Sequence, residues 1–237
     1  MTIDAPAIPA ANLAWLTAAQ MREVDRLMME DIGVTLVQMM ENAGRALADL
    51  VLRRFGARTA LVMAGPGGNG GGGIAAARHL ANRGVRVRVV LVAGVSRMAR
   101  VPRIQLGIAR RLGISVSTQP DPGADVLIDA LLGYGLEGDP RGRAAELIRW
   151  ANAAEAPVVA LDLPSGLDAT TGRVGDPCIR AAATLTLAMP KAGLREASEV
   201  VGELYLADIS VPPSVYRDVS AELAATPFRT APLVRIS

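Results

Sequence analysis

The stretch that decides the fold is the apolar run from Thr59 to Ala64 (TALVMA) together with the turn from Gly65 to Gly73 (GPGGNGGGG) that follows it directly. An apolar run, a glycine-rich turn and a helical pattern in this order predict a strand that leads into a helix. Glycines take side chains out of such a turn, so backbone N–H groups and the helix N-terminus can approach an anion or a flat ring. This stretch therefore predicts a ligand site at the end of the strand.

The same turn narrows the choice of ligand only in part. Its spacing Gly65-x-Gly67-x-x-Gly70 fits the dinucleotide pattern, although a window so rich in glycine makes the match weak. No Gly-Lys-Ser/Thr follows, which excludes a Walker phosphate loop. The ribose-binding acid expected about 20 residues further on is missing as well. Arg97, which could meet a 2′-phosphate, stands near that place instead.

Beyond the turn, short apolar runs alternate with helical patterns. The runs cover residues 85–92, 124–130, 157–161, 183–189 and 203–207, and the helical patterns cover about 73–83, 100–112 and 142–154. Strands that are apolar on both faces and joined by helices are typical of a parallel sheet covered on both sides. Because such crossovers are right-handed, we predict the α/β class and a three-layer αβα Rossmann-like sandwich with a mostly parallel central sheet.

Two leading helices are predicted ahead of this alternation. Thr17 and Gln20 match a capping box at the start of the first helix, which ends at Gly33. The second helix carries an apolar stripe from Leu36 to Val51 and closes near Gly56. Stripes of this kind at helical spacing predict faces that are buried in a core, and a contribution of one of these helices to a dimer stays open.

The two ends of the chain carry no clear pattern. Residues 1–16 predict an irregular arm, and residues 225–237 predict a loosely packed strap. No internal repeat or low-complexity linker interrupts the sequence, so we predict a single domain over residues 1–237. The start is acidic and broken by prolines, unlike a signal peptide, and no apolar run approaches the about 18 residues that span a bilayer. We expect a cytoplasmic protein without a membrane partner.

Charge and aromatic content argue against several classes of protein. Lys and Arg number 25 against 23 Asp and Glu, and aromatic residues make up 3% of the 237 residues. With so few rings on which bases could stack, a nucleic-acid partner is not expected. The single cysteine, Cys178, excludes a disulfide framework. The densest basic stretch contains Arg97, Arg100, Arg103, Arg110 and Arg111. A solvated helix face is the favoured interpretation, and an anionic ligand group or partner stays open.

Two carboxylates follow apolar runs at places where parallel sheets bind ligands, since the crevice lies beyond the carboxyl ends of the strands. Asp129 comes near the end of one run and a glycine-spaced loop follows it, and Asp162 comes after the next run and precedes Pro-Ser-Gly at 164–166. Burial can raise the pKa of a carboxyl such as that of Asp129 into the range that suits an acid/base catalyst. A structural role, in which Asp129 bonds the following turn, is equally open.

Oxygen atoms near these strand ends favour a hard cation. Asn69, Asp129 and Ser165 together offer amide, carboxylate and hydroxyl oxygens. A Ser-His-Asp triad is not predicted, because the Gly-x-Ser-x-Gly pattern is absent and the only histidine, His79, sits inside a predicted helix. A transition metal is disfavoured as well, since His79 and Cys178 are isolated and lack the spacing of metal ligands.

Taken in order, the glycine turn and the segments that start at Asp129 and Asp162 resemble the NAD(P)H-hydrate epimerases, the family of the N-terminal YjeF domain. That family has the pattern GPGNNGGDG, then DAxxGxG, then DxPSG, and the chain has GPGGNGGGG, DALLGYG and DLPSG. Further segments similar to those of the family are Met21–Asp25, Met40–Gly44, Ala76–Leu80, Thr184–Leu194 with Lys191, and Ala207–Ile209. The resemblance extends from about residue 17 to residue 215.

The resemblance implies an isomerase that interconverts the R and S forms of NADHX and NADPHX, which are nicotinamide cofactors damaged by hydration of the reduced ring. The substrate-binding residues that it implies are Gly68, Asn69, Gly70, Gly71 and Gly72, then Gly133, Tyr134, Gly135, Leu136, Glu137, Gly138 and Asp139, and finally Asp162. It implies one potassium ion (K+) per subunit on Asn69, Asp129 and Ser165, and we predict Asp129 as the catalytic acid/base group. We also expect a homodimer, and a dehydratase as a functional partner on a separate protein, because the chain ends too soon to include one.

Two positions depart from the family pattern. Gly68 stands where the family has Asn and Gly72 where it has Asp, so an amide and a carboxylate are missing from the turn. Losing one hydrogen bond to a charged or buried polar group costs about 1–3 kcal/mol, which leaves weakened activity, altered ligand choice and loss of activity open. We favour a working or weakened epimerase because Asp129, Asp162 and Ser165 are present. The alternatives are a non-catalytic nucleotide-binding or scaffold relative and, ranked last, an NADP-dependent oxidoreductase.

Overall fold

The computed structural model describes residues 5–220 and 227–237 of the chain. Its strands are β1 (Ala7–Ile8), β2 (Thr59–Ala64), β3 (Arg86–Leu91), β4 (Ser115–Ser117), β5 (Val126–Ala130), β6 (Val158–Leu161), β7 (Ala183–Leu187), β8 (Glu203–Ala207) and β9 (Leu233–Ile236). Its α-helices are α1 (Ala18–Arg26), α2 (Leu36–Phe55), α3 (Gly68–Ala81), α4 (Arg100–Arg111), α5 (Gly142–Asn152), α6 (Ser198–Val201) and α7 (Pro213–Val219). Among these described residues, no helix combines the length and the apolar character that crossing a bilayer requires.

The described strands form one sheet in the order β1-β9-β8-β7-β6-β5-β2-β3-β4. All neighbouring strands run parallel except β8 and β9, which run antiparallel. The strand order reverses at β2, which pairs with β3 on one side and with β5 on the other. A reversal of this kind leaves a crevice beyond the carboxyl ends of the strands. The glycine turn after β2 lies at this crevice.

Side chains of the central strands point alternately to the two faces of the sheet and pack into two separate hydrophobic cores. Val62 and Ile128 belong to the core beneath α2, α3 and α4, whereas Leu61 and Leu127 belong to the core shared with α5. Successive residues of a strand point to opposite faces of a sheet, so these cores are the two inner faces of a three-layer αβα sandwich. The predicted fold class is confirmed.

The leading helices follow their sequence signals. The Thr17 hydroxyl accepts a hydrogen bond from the backbone N–H of Gln20 at 3.2 Å, as the capping box predicts. A π-helical segment, Leu27–Ile32, extends α1, and Gly33 then ends it with φ 83°. The helix α2 ends in the same way, at Gly56 with φ 59°. Both leading helices therefore end at a glycine, the residue that adopts the left-handed backbone conformation without strain.

The helix after β2 corrects the sequence prediction, because α3 begins at Gly68 instead of about residue 73. Glycine disfavours a helix by about 1 kcal/mol relative to alanine, yet here it permits close packing. A Cβ atom on Gly73 would lie 2.4 Å from the Cβ of Ala130, and one on Gly71 would lie 2.6 Å from the sulfur of Met40. Much of the predicted loop is therefore the first turns of a helix held against β5 and α2.

The two ends of the chain are also more ordered than predicted. The arm 1–16 contains β1, and the strap 225–237 contains β9, in which Val234 is fully buried. Joining a sheet satisfies the hydrogen-bonding groups of the backbone, which a loosely packed strap would leave to water. Residues 1–4 of the arm and residues 225–226 of the strap lie outside the described residues.

Candidate active site

A cavity of about 690 Å³ lies beyond the carboxyl ends of β2, β5 and β6. Its walls come from α1, α2, the glycine turn with the start of α3, the loop 131–137 and the residues that follow β6 and β7. This volume falls within the range of sites that bind small molecules. The cavity is therefore the candidate active site.

The glycine turn forms one wall and is held tightly to the loop after β5. A Cβ atom on Gly65 would lie 1.8 Å from the carbonyl oxygen of Leu131, so a larger residue does not fit there. The side-chain amide of Asn69 donates from Nδ2 to the carbonyl oxygen of Leu132 at 2.8 Å. By contrast, a Cβ atom on Gly68 would meet nothing nearer than Cε of Met40 at 3.8 Å. The wall is rigid, and it has open space at Gly68.

The cavity wall contains a buried ion pair between Lys191 and Asp162. Nζ of Lys191 donates to Oδ1 of Asp162, to the carbonyl oxygen of Leu187 at 2.8 Å and to Oγ1 of Thr186 at 3.4 Å. The two side chains are only 1% and 6% exposed. Since an ammonium group has three donors, those of Lys191 are all engaged by the protein, and this arrangement fixes the Asp162 carboxylate.

The other oxygen of that carboxylate is free. Among the described residues, Oδ2 of Asp162 has no hydrogen-bond partner, whereas Oδ1 accepts from both Lys191 and the backbone N–H of Leu187. Asp162 also adopts φ 71°, a conformation that costs a non-glycine residue on the order of 1–3 kcal/mol and tends to occur at functional sites. The fold thus holds one unpaired carboxylate oxygen at the cavity.

A second polar pair, Tyr134 with Asp25, lines the same cavity. The Tyr134 hydroxyl donates to Oδ2 of Asp25. Burial raises the pKa of the Asp25 carboxyl, and the hydrogen bond from Tyr134 opposes that rise. Burial and the neighbouring Asp25 both raise the pKa of Tyr134, so its hydroxyl stays a neutral donor. The pair links α1 to the loop after β5.

Asp129 lies beneath the wall and not in it. It has no exposed surface, and it is not among the residues that line the cavity. Its Oδ1 accepts from the Ser165 hydroxyl at 2.6 Å and from the N–H of Leu131 at 3.2 Å, and its Oδ2 accepts from the N–H of Ser165 at 2.8 Å. Burial raises the pKa of Asp129 to about 6, although the hydrogen bonds from Ser165 and Leu131 oppose the rise.

A chain of hydrogen bonds connects Asp129 to the cavity. The Ser165 hydroxyl that donates to Asp129 accepts from the N–H of Leu132 at 2.9 Å, and the carbonyl of Leu132 accepts from Asn69. The three residues predicted to bind a cation are therefore neighbours along one network. Their amide, hydroxyl and carboxylate oxygens, with the Leu132 carbonyl, have the chemistry of a hard-cation site. Within the described residues no arginine or lysine bonds to Asp129, so a cation would compensate its buried charge.

The structure brings most of the predicted substrate-binding residues together. Those that line the cavity are Gly68, Asn69, Gly72, Gly133, Tyr134, Gly135, Leu136, Glu137 and Asp162. Gly70, Gly71, Gly138 and Asp139 do not line it. Gly70 and Gly71 face inward, because a Cβ atom on either would meet Gly65 or Met40 within 3 Å. Asp139 pairs instead with Arg173 at 2.8 Å on the surface.

The sequence did not predict that Asp25 lines the cavity. It singled out Lys191 only as part of a segment, Thr184–Leu194, that is similar to the family. Both lie far along the chain from the residues that they contact, 109 positions for Asp25 with Tyr134 and 29 for Lys191 with Asp162. One signal was available, because Lys191 is the single lysine in a chain whose other basic residues are arginine. His79 has the structural role favoured from the sequence, since its Nε2 bonds Glu41 at 2.7 Å.

Comparison with known proteins identifies the family. The family model described as YjeF-related protein N-terminus matches residues 36–193, which include the glycine turn, Asp129, Asp162 and Lys191. The chain belongs to the YjeF-related family. The match covers the strands and loops that form most of the cavity.

Named relatives within this YjeF-related family agree with that assignment. A protein of Dehalogenimonas lykanthroporepellens named NAD(P)H-hydrate epimerase is 44% identical over 94% of this chain and 92% of its own length. The protein of Moorella thermoacetica named bifunctional NAD(P)H-hydrate repair enzyme Nnr is 38% identical over 83% of this chain, which corresponds to 40% of that relative. The crystal structure of yeast ynu0 matches 94% of this chain and all of that chain with a TM-score of 0.83 at 23% identity, and it supports the fold.

Proposed function

We propose that this YjeF-related chain is an NAD(P)H-hydrate epimerase, an isomerase that interconverts the R and S forms of NADHX and NADPHX. The observation that carries the proposal is the buried Asp162–Lys191 pair, which presents one free carboxylate oxygen to the cavity that the glycine turn borders. The relative named NAD(P)H-hydrate epimerase, at 44% identity, supports the choice of substrate. A scaffold role is not favoured, because a scaffold needs neither this pair nor the strained backbone at Asp162.

The reaction inverts a ring carbon that carries a hydroxyl group and is bonded to the ring nitrogen. The C–O bond breaks and its electron pair leaves with oxygen, while the nitrogen lone pair forms a C=N bond. The departing oxygen takes up one proton and leaves as water, and a flat iminium cation remains. Water then adds to the opposite face and gives up one proton. Atoms, electrons and protons therefore balance over the cycle, and the site needs one group that donates and later accepts a proton.

Asp162 fits this role. Its Oδ2 is free at the cavity, and Lys191 with the Leu187 N–H holds its Oδ1. Oδ2 of Asp162 takes up one proton from water in the cavity and donates it to the leaving hydroxyl group. The carboxylate that remains stabilises the iminium cation and accepts the proton of the returning water, which then goes back to solvent. Lys191 acts as a positioning residue, because its three donors are already engaged.

Asp129 has a positioning role in this proposal instead of the acid/base role predicted from the sequence. It has no exposed surface and reaches the wall only through Ser165 and Leu132. We propose that Asn69, Asp129 and Ser165 hold one potassium ion through their oxygen atoms, as the resemblance implies. When bound, the ion would supply positive charge beside the buried carboxylate and stiffen the loop 131–133.

A second, dehydrating activity would consume the epimerised product and complete the repair. The relative of Moorella thermoacetica named a bifunctional repair enzyme is consistent with such a link. We place the dehydratase as the functional partner of this chain. The homodimer and the cytoplasmic location stay predictions.

The test supplies purified protein with R-NADHX and an S-specific dehydratase and follows the recovery of NADH. We expect recovery well above the spontaneous rate, and we expect Asp162→Asn to return it to that rate. Asp121→Asn is the matched control, because Asp121 is an exposed carboxylate that pairs with Arg88. If the unaltered protein gives only the spontaneous rate, the scaffold alternative replaces the epimerase.

A further inference from the structure

We propose that Arg97 and Arg100 bind the 2′-phosphate of the substrate, so that the chain acts on NADPHX in preference to NADHX. This inference rests on the proposed epimerase function and assigns a specificity site to it. The two arginines lie after β3, outside the residues that line the cavity.

The segment that carries both arginines is bonded to the glycine turn. The N–H of Ala99, which lies between them, donates to the carbonyl oxygen of Pro66 at 3.0 Å. Pro66 lines the cavity, so the arginines stand beside its edge. The carbonyl oxygen of Met98 accepts from Nη2 of Arg103 at 3.0 Å, which ties the same segment to the first turn of α4. The segment is thus a fixed extension of the cavity wall.

Neither arginine has a partner in the described part of the chain. Arg97 and Arg100 are exposed, and their side chains take part in no hydrogen bond or ion pair there. Residues 92–120 contain no Asp or Glu. Elsewhere in the described chain seven arginines pair with carboxylates. The segment after β3 therefore keeps its positive charge available for an anion.

The cavity itself offers little positive charge. The cavity wall has two positively charged residues, and one of them, Lys191, is neutralised by its ion pair with Asp162. The charge of the other, Arg22, is balanced by that of Glu137, and the wall also contains Asp25, which accepts a hydrogen bond from Tyr134. A phosphomonoester adds about −1.5 to −2 charges at neutral pH. The extra phosphate of NADPHX therefore finds unpaired cations beyond the cavity, after β3.

Sheet order gives the direction in which the substrate extends. The reacting ring belongs near Asp162 and Lys191, which follow β6 and β7, and the glycine turn follows β2. From β7 to β3 there are four strand spacings, or about 19 Å, which is the order of length of an extended dinucleotide. In dinucleotide-binding folds an acid after the second strand binds the ribose of NAD, whereas an arginine there accommodates the phosphate of NADP. This chain has arginines and no acid at that place.

The first test compares kcat and KM for R-NADPHX and R-NADHX in the unaltered protein and in the double variant Arg97→Gln/Arg100→Gln. We expect KM for NADPHX to rise roughly tenfold or more with kcat unchanged, and KM for NADHX to change little. Arg110→Gln/Arg111→Gln is the matched control, since it removes the same charge from the last turn of α4, about 15 Å from Arg100. An equal loss with both substrates, or the same loss in the control, would overturn the proposal.

A binding measurement separates this inference from the proposed function. Calorimetry with 2′,5′-ADP and with 5′-AMP reports the phosphate site without turnover. We expect the unaltered protein to bind 2′,5′-ADP more tightly than 5′-AMP. The double variant Arg97→Gln/Arg100→Gln should lose this preference, whereas Arg22→Gln should retain it. Equal affinities for the two nucleotides, or a preference that depends on Arg22, would refute the site even if the protein epimerises both substrates. A protein that shows the preference without turnover would refute the epimerase alone.

Discussion

Asp129 pairs in register with Ala160, so Asp162 lies two residues further toward the carboxyl edge of the sheet than Asp129 does. This offset separates two carboxylates that look equivalent in the sequence. Asp129 is still within β5, where neighbours cover it completely, whereas Asp162 has left β6 and lines the cavity. The offset is the reason that Asp162, and not Asp129, lines the cavity.

Asp162→Asn is expected to lower kcat by roughly 10²–10⁴-fold, because the variant cannot exchange a proton with the substrate. It should also lower the free energy of unfolding by roughly 3–5 kcal/mol, because it leaves Lys191 buried without a countercharge. Epimerase kinetics and urea unfolding of the same preparation measure the two effects. The double variant Asp162→Asn/Lys191→Met removes both charges, so we expect it to recover stability but not activity. Recovery of activity in the double variant would contradict the proton-exchange role of Asp162.

Gly68→Asn is expected to raise kcat/KM by roughly three- to tenfold, because it restores an amide that can bond the substrate. The position has room, since the nearest atom to an added Cβ is Cε of Met40 at 3.8 Å. Gly72→Asp is tighter, with Cδ2 of Leu161 at 3.0 Å from an added Cβ, so its gain should be smaller. Gly67→Asn places the same amide in open space next to Gly68, at a position where the family keeps glycine. A gain from Gly67→Asn as large as that from Gly68→Asn would show that the position of the amide does not matter.

Potassium chloride is expected to raise the melting midpoint above that in sodium chloride by roughly 2–4 °C, because an ion that binds only the folded state stabilises it. The difference should vanish in Ser165→Ala, which removes a hydroxyl oxygen next to Asp129. Ser117→Ala is the control, since Ser117 is an exposed residue of β4 whose hydroxyl bonds Gln119. Equal midpoints of the unaltered protein in both salts would count against the cation site.

The ion pair between Glu203 and Arg54 is expected to make the free energy of unfolding depend on pH. Arg54 donates to both carboxylate oxygens of Glu203, at 2.9 and 2.8 Å, and joins α2 to β8. The hydrogen bonds from Arg54 lower the pKa of Glu203 to about 2. Because the folded-state pKa lies below the unfolded value of about 4.5, the pair stabilises the fold above that value. The contribution is lost as the pH falls toward 2.

The variant Glu203→Gln is therefore expected to lose about 1–2 kcal/mol of unfolding free energy at pH 7, a figure reduced for partial exposure. The difference from the unaltered protein should narrow steadily as the pH drops below 4.5 in urea unfolding. Glu146→Gln serves for comparison, because Glu146 is 61% exposed and pairs with Arg143 only on the surface. A constant difference over the whole pH range would refute the charge interaction.

Strong local patterns predicted much of the fold. The sequence correctly predicted the bounds of β2 and β8, the capping box at Thr17 and the glycine that ends α2. Each of these features depends on residues that are neighbours in the chain. The edge strand β4, by contrast, has only three residues, of which two are serines, and it pairs with β3 from a distant part of the chain. Elements of that kind carry too little local signal to be predicted.

The sequence by itself determined the αβα class, the position of the cavity beyond β2 and β5, and the isomerase class, because periodicity, glycine content and motif order are local properties of the chain. Only the tertiary structure decided which carboxylate reaches the cavity and which lysine and tyrosine accompany it. Asp162 meets Lys191, and Asp25 meets Tyr134, across long separations in the chain. The physical reason is that such contacts depend on the register between strands and on helix packing, and neither leaves a mark in the residues next to them.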